Sequence, residues 1–230
     1  MTDEIILPQL VQAVDQDRAL AEAADALSTT RRGLFGLAAG GAALGALAGA
    51  TGAQASASSE HDVKILNYAL GLEYLQAAFY TEAERLGALH GALAQQARVV
   101  GAHERAHVAA FRKVLGKAAI ARPTFNFRGV TQDPQTFRST AVAFEDLAVE
   151  AYKYQLPHIH SPAYLAAAVS IHSVEARHAA WIRRLAGVLP AATAFDHSLA
   201  PNKVDKLVVS THFIVARPHM KADAAPKFTG

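Results

Sequence analysis

Two stretches of this chain run in helical period, and each breaks an apolar stripe at its centre with a glutamate followed three residues later by a histidine. Stepping alternately by four and three, one reads Leu93, Ala97, Val100, Glu104, His107, Phe111, Val114 and the other Tyr164, Ala168, Ile171, Glu175, His178, Ile182, Leu185. That spacing puts each set on one helix face, the face that turns inward. A carboxylate left unpaired in an apolar interior costs several kcal/mol, so each central glutamate demands a cation or a proton. Two such helices facing each other make the demand acute. A dinuclear metal centre meets it, because each ion can take one histidine, one terminal carboxylate and carboxylates shared with its neighbour.

A centre of this kind also needs one carboxylate from each of two further helices. The segments "LEYLQAAFY" (72–80) and "FEDLAVEAY" (144–152) supply them: Glu73 aligns with Glu145 and Tyr80 with Tyr152, each tyrosine two turns after its glutamate. Glu73 precedes Glu104 by 31 residues and Glu145 precedes Glu175 by 30, so one helix pair is used twice. Capping residues mark the helices. Asp62 is placed to cap a first helix running to about Leu86, before Gly87, and a second runs from about Ala92 to Leu115, ahead of Gly116. "KAAIARPTFNFRGVTQDP" is a long connection, Asp133-Pro134 opens a third helix that Pro157 stops, and Ser161-Pro162 opens the fourth. Short loop, long crossover, short loop predicts an all-α fold over 60–187, an antiparallel four-helix bundle of ferritin-like connectivity, with 188–230 as a C-terminal extension.

The set Glu73, Glu104-x-x-His107, Glu145 and Glu175-x-x-His178 resembles the di-iron carboxylate ligands of the ferritin-like superfamily, close to the bacterioferritin pattern. Around it, "NYALGLEYLQAAFY", "HERAHV" and "VEARHAAWIRRL" are similar to the ferritin-like domain family that includes exported bacterial members and plant desiccation-related proteins. The resemblance implies that these six residues ligate two iron ions, with manganese or a mixed pair as alternatives, and that dioxygen or peroxide is the small-molecule substrate. It also implies that Tyr80 bonds a ligating carboxylate; Tyr152 holds the same place in the repeat. The implied role is ferroxidase or peroxide-consuming stress protection. The alternative is a non-catalytic stress-related bundle that binds metal for stability.

His103-Glu104-x-x-His107 is also the H-E-x-x-H signature of zinc hydrolases, in which both histidines ligate and the glutamate is the base. That reading leaves Glu73, Glu145 and the second Glu-x-x-His unexplained. The bundle reading instead places His103 beside the inner stripe, at the surface or in support of a ligand. Glu150 lies about 140° around its helix from Glu145 and reads as solvated, and Gln76 as a polar neighbour. His158, His160 and His172 show no partner pattern. With no cysteine in the chain, thiolate metal sites, disulfides and cysteine nucleophiles are excluded.

Residues 1–55 carry three of the 22 basic and six of the 20 acidic residues, which leaves 19 against 14 for the remainder. The basic residues there are scattered, without the patch that nucleic acid requires, so no nucleic-acid partner is expected. Arg31-Arg32, an uncharged Ala/Gly/Leu stretch and Ala53-Gln54-Ala55 give 1–55 the anatomy of a twin-arginine-type signal. The expected partner is then the twin-arginine export machinery and the expected location periplasmic or extracellular; an uncleaved signal would act as a membrane anchor. In the extension, "KLVVSTHFIV" has β-branched character and is expected to form a strand or a docked extension. The extension departs from a minimal ferritin bundle and argues against a 24-subunit storage cage, with a homo-oligomer left open.

Overall fold

The computed structural model describes residues 60–217. The signal segment, and the extension beyond 217, lie outside the described residues. Four long helices carry the fold: α1 (Glu60–Leu86), α2 (Gly91–Leu115), α3 (Pro134–Gln155) and α4 (Pro162–Leu185). A shorter α5 (Pro201–Ser210) follows, and a two-stranded antiparallel sheet joins β1 (Thr124–Phe125) to β2 (Ile214–Ala216). No helix among the described residues is long and apolar enough to cross a membrane. The chain is thus an all-α bundle with one long crossover, and α1 packs on α2 as α3 packs on α4.

The helix ends follow local chemistry. Asp133 caps α3, its carboxylate accepting from the amides of Gln135 and Thr136, with Pro134 in the first turn. Ser161 accepts from the Tyr164 amide at the start of α4. Gly87 and Gly116 take positive φ, 66° and 53°, where a side chain would be strained, and they release the chain from α1 and α2. Asp62 departs from expectation. α1 begins two residues earlier, and the Asp62 carboxylate reaches across the bundle to the amides of His160 and Ser161, at 3.0 and 2.9 Å. An acidic group in the first turn of one helix satisfies donors ahead of another, a long-range use of the same capping chemistry.

Hydrogen bonds between side chains give the helix directions. Tyr80 bonds Glu145 and Tyr152 bonds Glu73, so positions rising along α1 meet positions falling along α3, and the two are antiparallel. The apolar core is divided. Phe79, Val100, Phe137, Phe144 and Ile182 lie in one cluster and Leu66, Leu70, Phe111, Ile159 and Ile171 in another. On α1, α2 and α4 the glutamate and histidine positions fall between the two, so a polar layer crosses the middle of an otherwise apolar interior.

"KLVVSTHFIV" is in part a strand and in part a docked segment, the docked part being helical. Its first half completes α5, because Pro201 starts a helix that buries Val204 and Val208; only the second half is extended, as β2. The Asn126 amide donates to the Phe213 carbonyl, and the Phe213 ring packs edge-on against Phe127 and Phe144. Crossover and extension therefore close over the same core cluster. Phe213→Ala should destabilise the domain by about 3 kcal/mol, read as a lower denaturation midpoint with an unchanged slope, because a buried aromatic ring is lost. An effect within about 0.5 kcal/mol would show that the extension merely rests on the bundle.

Candidate metal centre

Six side chains meet in the polar layer. Glu73 comes from α1, Glu104 and His107 from α2, Glu145 from α3, and Glu175 and His178 from α4. None of the four glutamates exceeds 1% exposure. The i, i+3 spacing on α2 and α4 brings each glutamate and its histidine to one face, as the stripe requires.

The arrangement repeats around an approximate twofold axis. His107 Nδ1 stands 3.2 Å from Glu73, 3.8 Å from its own helix neighbour Glu104 and 3.1 Å from Glu175. His178 Nδ1 stands 3.5 Å from Glu145, 3.6 Å from its own neighbour Glu175 and 3.2 Å from Glu104. Two groups follow that can each hold a metal ion: Glu73, Glu104, His107 and Glu175, and Glu104, Glu145, Glu175 and His178. Glu104 and Glu175 belong to both. Their carboxylates lie where two ions would share them, and Glu73 and Glu145 each serve one position.

The donor set fits two divalent ions in number and in charge. Four carboxylates carry a charge of −4, which two divalent ions cancel when both imidazoles are neutral. Both oxygens of Glu104 and of Glu175, one oxygen of Glu145 and Nδ1 of His178 are buried without a hydrogen-bond partner. Such groups are costly to leave unmatched, and all of them belong to the two groups above.

Without metal, protons take the place of the ions. Burial opposes charge on His178, but Glu104, Glu145 and Glu175 around it push its pKa up to about 12. Burial likewise opposes charge on His107, and Glu73, Glu104 and Glu175 overcome it and hold the ring well above the ordinary imidazole range. Burial and the neighbouring Glu175 and Glu73 charges raise Glu104 well above the carboxylate range. Burial would raise Glu175 too, but the two imidazoles bring it down to about 2. The facing pair thus keeps one proton, as close carboxylates do. Burial moves Glu145 up to about 7.

Around these six, two tyrosines and a histidine fix orientation. The Tyr80 hydroxyl donates to Glu145 and that of Tyr152 to Glu73, each at 2.5 Å. Burial and the adjacent carboxylates hold both phenols well above their ordinary range, so they remain donors. Gln96, fully buried, donates to the Tyr80 hydroxyl at 3.5 Å. Its place four residues before Val100, on the inner face, was the available sequence signal; Ala167 stands at the matching point of the repeat.

His103 answers the ambiguity of H-E-x-x-H. Neither group contains it; its Nδ1 lies 2.9 Å from Nε2 of His178, behind the layer. Burial, then the charges on His178 and His107, lower its pKa to about 4, so the ring is neutral and accepts the His178 Nε2 proton. His178 is thereby turned with Nδ1 toward the carboxylates, the arrangement in which a ligating histidine gives its other N–H to a neighbour. Val174 occupies the matching point on α4, so the two positions differ in this support. Glu150 is half-buried and belongs to neither group. The hydrolase reading requires His103 and His107 in one ligand group, and neither of the two groups contains His103.

The family model for the ferritin-like domain matches residues 61–188, and the chain belongs to that family. No curated protein matches the chain. Fold and family together define a ferritin-like bundle with buried acidic and histidine groups that can hold metal.

Proposed function

We propose that this chain is an exported ferritin-like protein whose six inner residues hold two metal ions, iron in the first instance, for ferroxidase or peroxide-consuming protection. The observation that supports it most is the sharing of Glu104 and Glu175 between two four-residue groups, since a single-ion structural site needs no shared carboxylates. A bound pair of redox-active ions supplies electrons to dioxygen or peroxide one from each ion. The chain's own residues do the rest. Tyr80 and Tyr152 hold one oxygen of each terminal carboxylate, His103 sets the His178 ring, and the apolar clusters on either side keep bulk water from the layer. Glu104 and Glu175, whose neighbouring donors are the His107 and His178 imidazoles alone, would be the carboxylates that hold both ions.

Anaerobic Fe(II) titration of the purified chain should saturate at two ions, and admission of dioxygen or peroxide should oxidise them stoichiometrically, followed by near-ultraviolet absorbance. Saturation at one ion, or oxidation no faster than free Fe(II), would remove the redox reading and leave metal as a structural element. Export is tested separately. Replacing Arg31 and Arg32 by lysine should hold the precursor in the cytoplasm, because the twin-arginine receptor reads guanidinium geometry and not charge alone. Export undiminished by that change would show that the arginine pair is incidental.

A further inference from the structure

A second cluster of ligand-type side chains lies at the end of the bundle. His61 and Asp62 stand in the first turn of α1, and His160 in the turn before α4; one potential ligand atom from each lies within 4.8 Å of the others. Asp62 is eleven residues from Glu73, about 16 Å along α1, so this cluster is separate from the inner centre. Two of its three members already make hydrogen bonds across the bundle end. The Asp62 carboxylate, 1% exposed, accepts one backbone amide on each oxygen, from His160 and Ser161. His61 Nε2 lies 3.0 Å from the His158 carbonyl, which only accepts, so Nε2 carries the proton and a neutral His61 ring keeps its lone pair on Nδ1. Histidines that ligate metal characteristically give their other N–H to a backbone carbonyl, and ligating carboxylates are themselves hydrogen-bonded.

We infer that His61, Asp62 and His160 form a surface site for one divalent first-row transition ion, with zinc the best match among redox-inert ions. Two imidazoles and a carboxylate match the hard-to-borderline preference of such ions, and solvent can complete the shell. The His61 and His160 rings stack at 4.7 Å, nearly parallel, and both are exposed. Ligation requires them to turn edge-on to a common point and the ligand atoms to close to about 3.3 Å, as tetrahedral geometry at zinc bond lengths sets. Both rings are exposed and turn on their side chains, His61 exchanging its contact with the His158 carbonyl, while Asp62 stays tied to the His160 amide. The capping role of Asp62 does not need either imidazole. Occupancy would clamp the start of α1 to the turn between α3 and α4, and it does not depend on the redox reading of the inner centre.

The test is Zn(II) titration of the purified chain at micromolar protein, with the His61 and His160 ring resonances followed by NMR. The wild type should bind one more equivalent than the His61→Ala/His160→Ala chain, and both ring signals should shift with that equivalent. In a Glu104→Gln/Glu175→Gln chain the same His-dependent equivalent should persist, although the inner positions are lost; this separates failure of the inner centre from failure of the surface site. Because both histidines are exposed, their replacement leaves folding intact, checked by an unchanged metal-free melting curve. Equal zinc stoichiometry in the wild type and the double-alanine chain, or ring signals that move only with millimolar zinc, would overturn the assignment.

Discussion

On the two-ion reading, Glu104→Ala and Glu175→Ala should each empty both inner metal positions, whereas Glu73→Ala and Glu145→Ala should each empty one. The difference arises because Glu104 and Glu175 occur in both four-residue groups and the other two carboxylates in one group each. Removing a shared ligand also deprives the second ion of neutralising charge, so loading at micromolar Fe(II) should fall from two ions to none in the first pair of variants. In the second pair it should fall to one. His107→Ala and His178→Ala should each weaken one position. His103→Ala should retain two ions at saturating metal but bind the one beside His178 about 10- to 100-fold less tightly, as loss of a partner behind a ligand does. Equilibrium dialysis with elemental analysis decides among these. Loss of metal in His103→Ala with retention in His178→Ala would restore the hydrolase reading, and equal losses for all four glutamates would contradict shared carboxylates.

Metal should raise the thermal midpoint of the chain by about 15–30 °C. An ion at a thousand times its dissociation constant contributes about 4 kcal/mol, two contribute about 8, and each kcal/mol moves a domain of this size by about 2–4 °C. The increment should grow with pH. In the metal-free fold the pKa of His107 is raised, that of His178 reaches about 12 and that of Glu145 about 7, all above their unfolded values. Groups of this kind stabilise the fold while they keep protons that the unfolded chain has lost, and that contribution declines as pH rises. Between about pH 5 and pH 9 the metal-free midpoint should therefore fall. Over the same range metal competes with fewer protons, since ligation needs ionised carboxylates and neutral imidazoles, and its affinity should rise. Calorimetry in buffers of different ionisation enthalpy should show proton release on loading. A metal-free midpoint that climbs across this range, or loading without proton release, would contradict the protonated cluster described here.

Much of this was legible because helices report their buried face at a fixed period. The stripes of α2 and α4, the two extra glutamates and the 31- and 30-residue spacings require only that the chain be helical and that a buried carboxylate need a counter-charge. Helix ends at Asp133-Pro134, Ser161-Pro162, Gly87 and Gly116 are equally local, since caps and positive φ act within one turn. Tertiary contact decided what local chemistry leaves open. Asp62 looks like a cap for its own helix and instead satisfies amides about a hundred residues away. "KLVVSTHFIV" splits between α5 and β2 because Val204 and Val208 find the core while the residues after Phe213 find β1. The side of H-E-x-x-H that faces the carboxylates is likewise a matter of which helix lies opposite. His103 and His107 stand four residues apart on α2, only about 40° around the helix, and it is the approach of α4 that sets His107 among the carboxylates and His103 against Nε2 of His178. The sequence by itself determined the helices and the glutamate and histidine positions on their inner faces; the packing of α2 against α4 decided which of them meet in one group, because that depends on what stands across the interface.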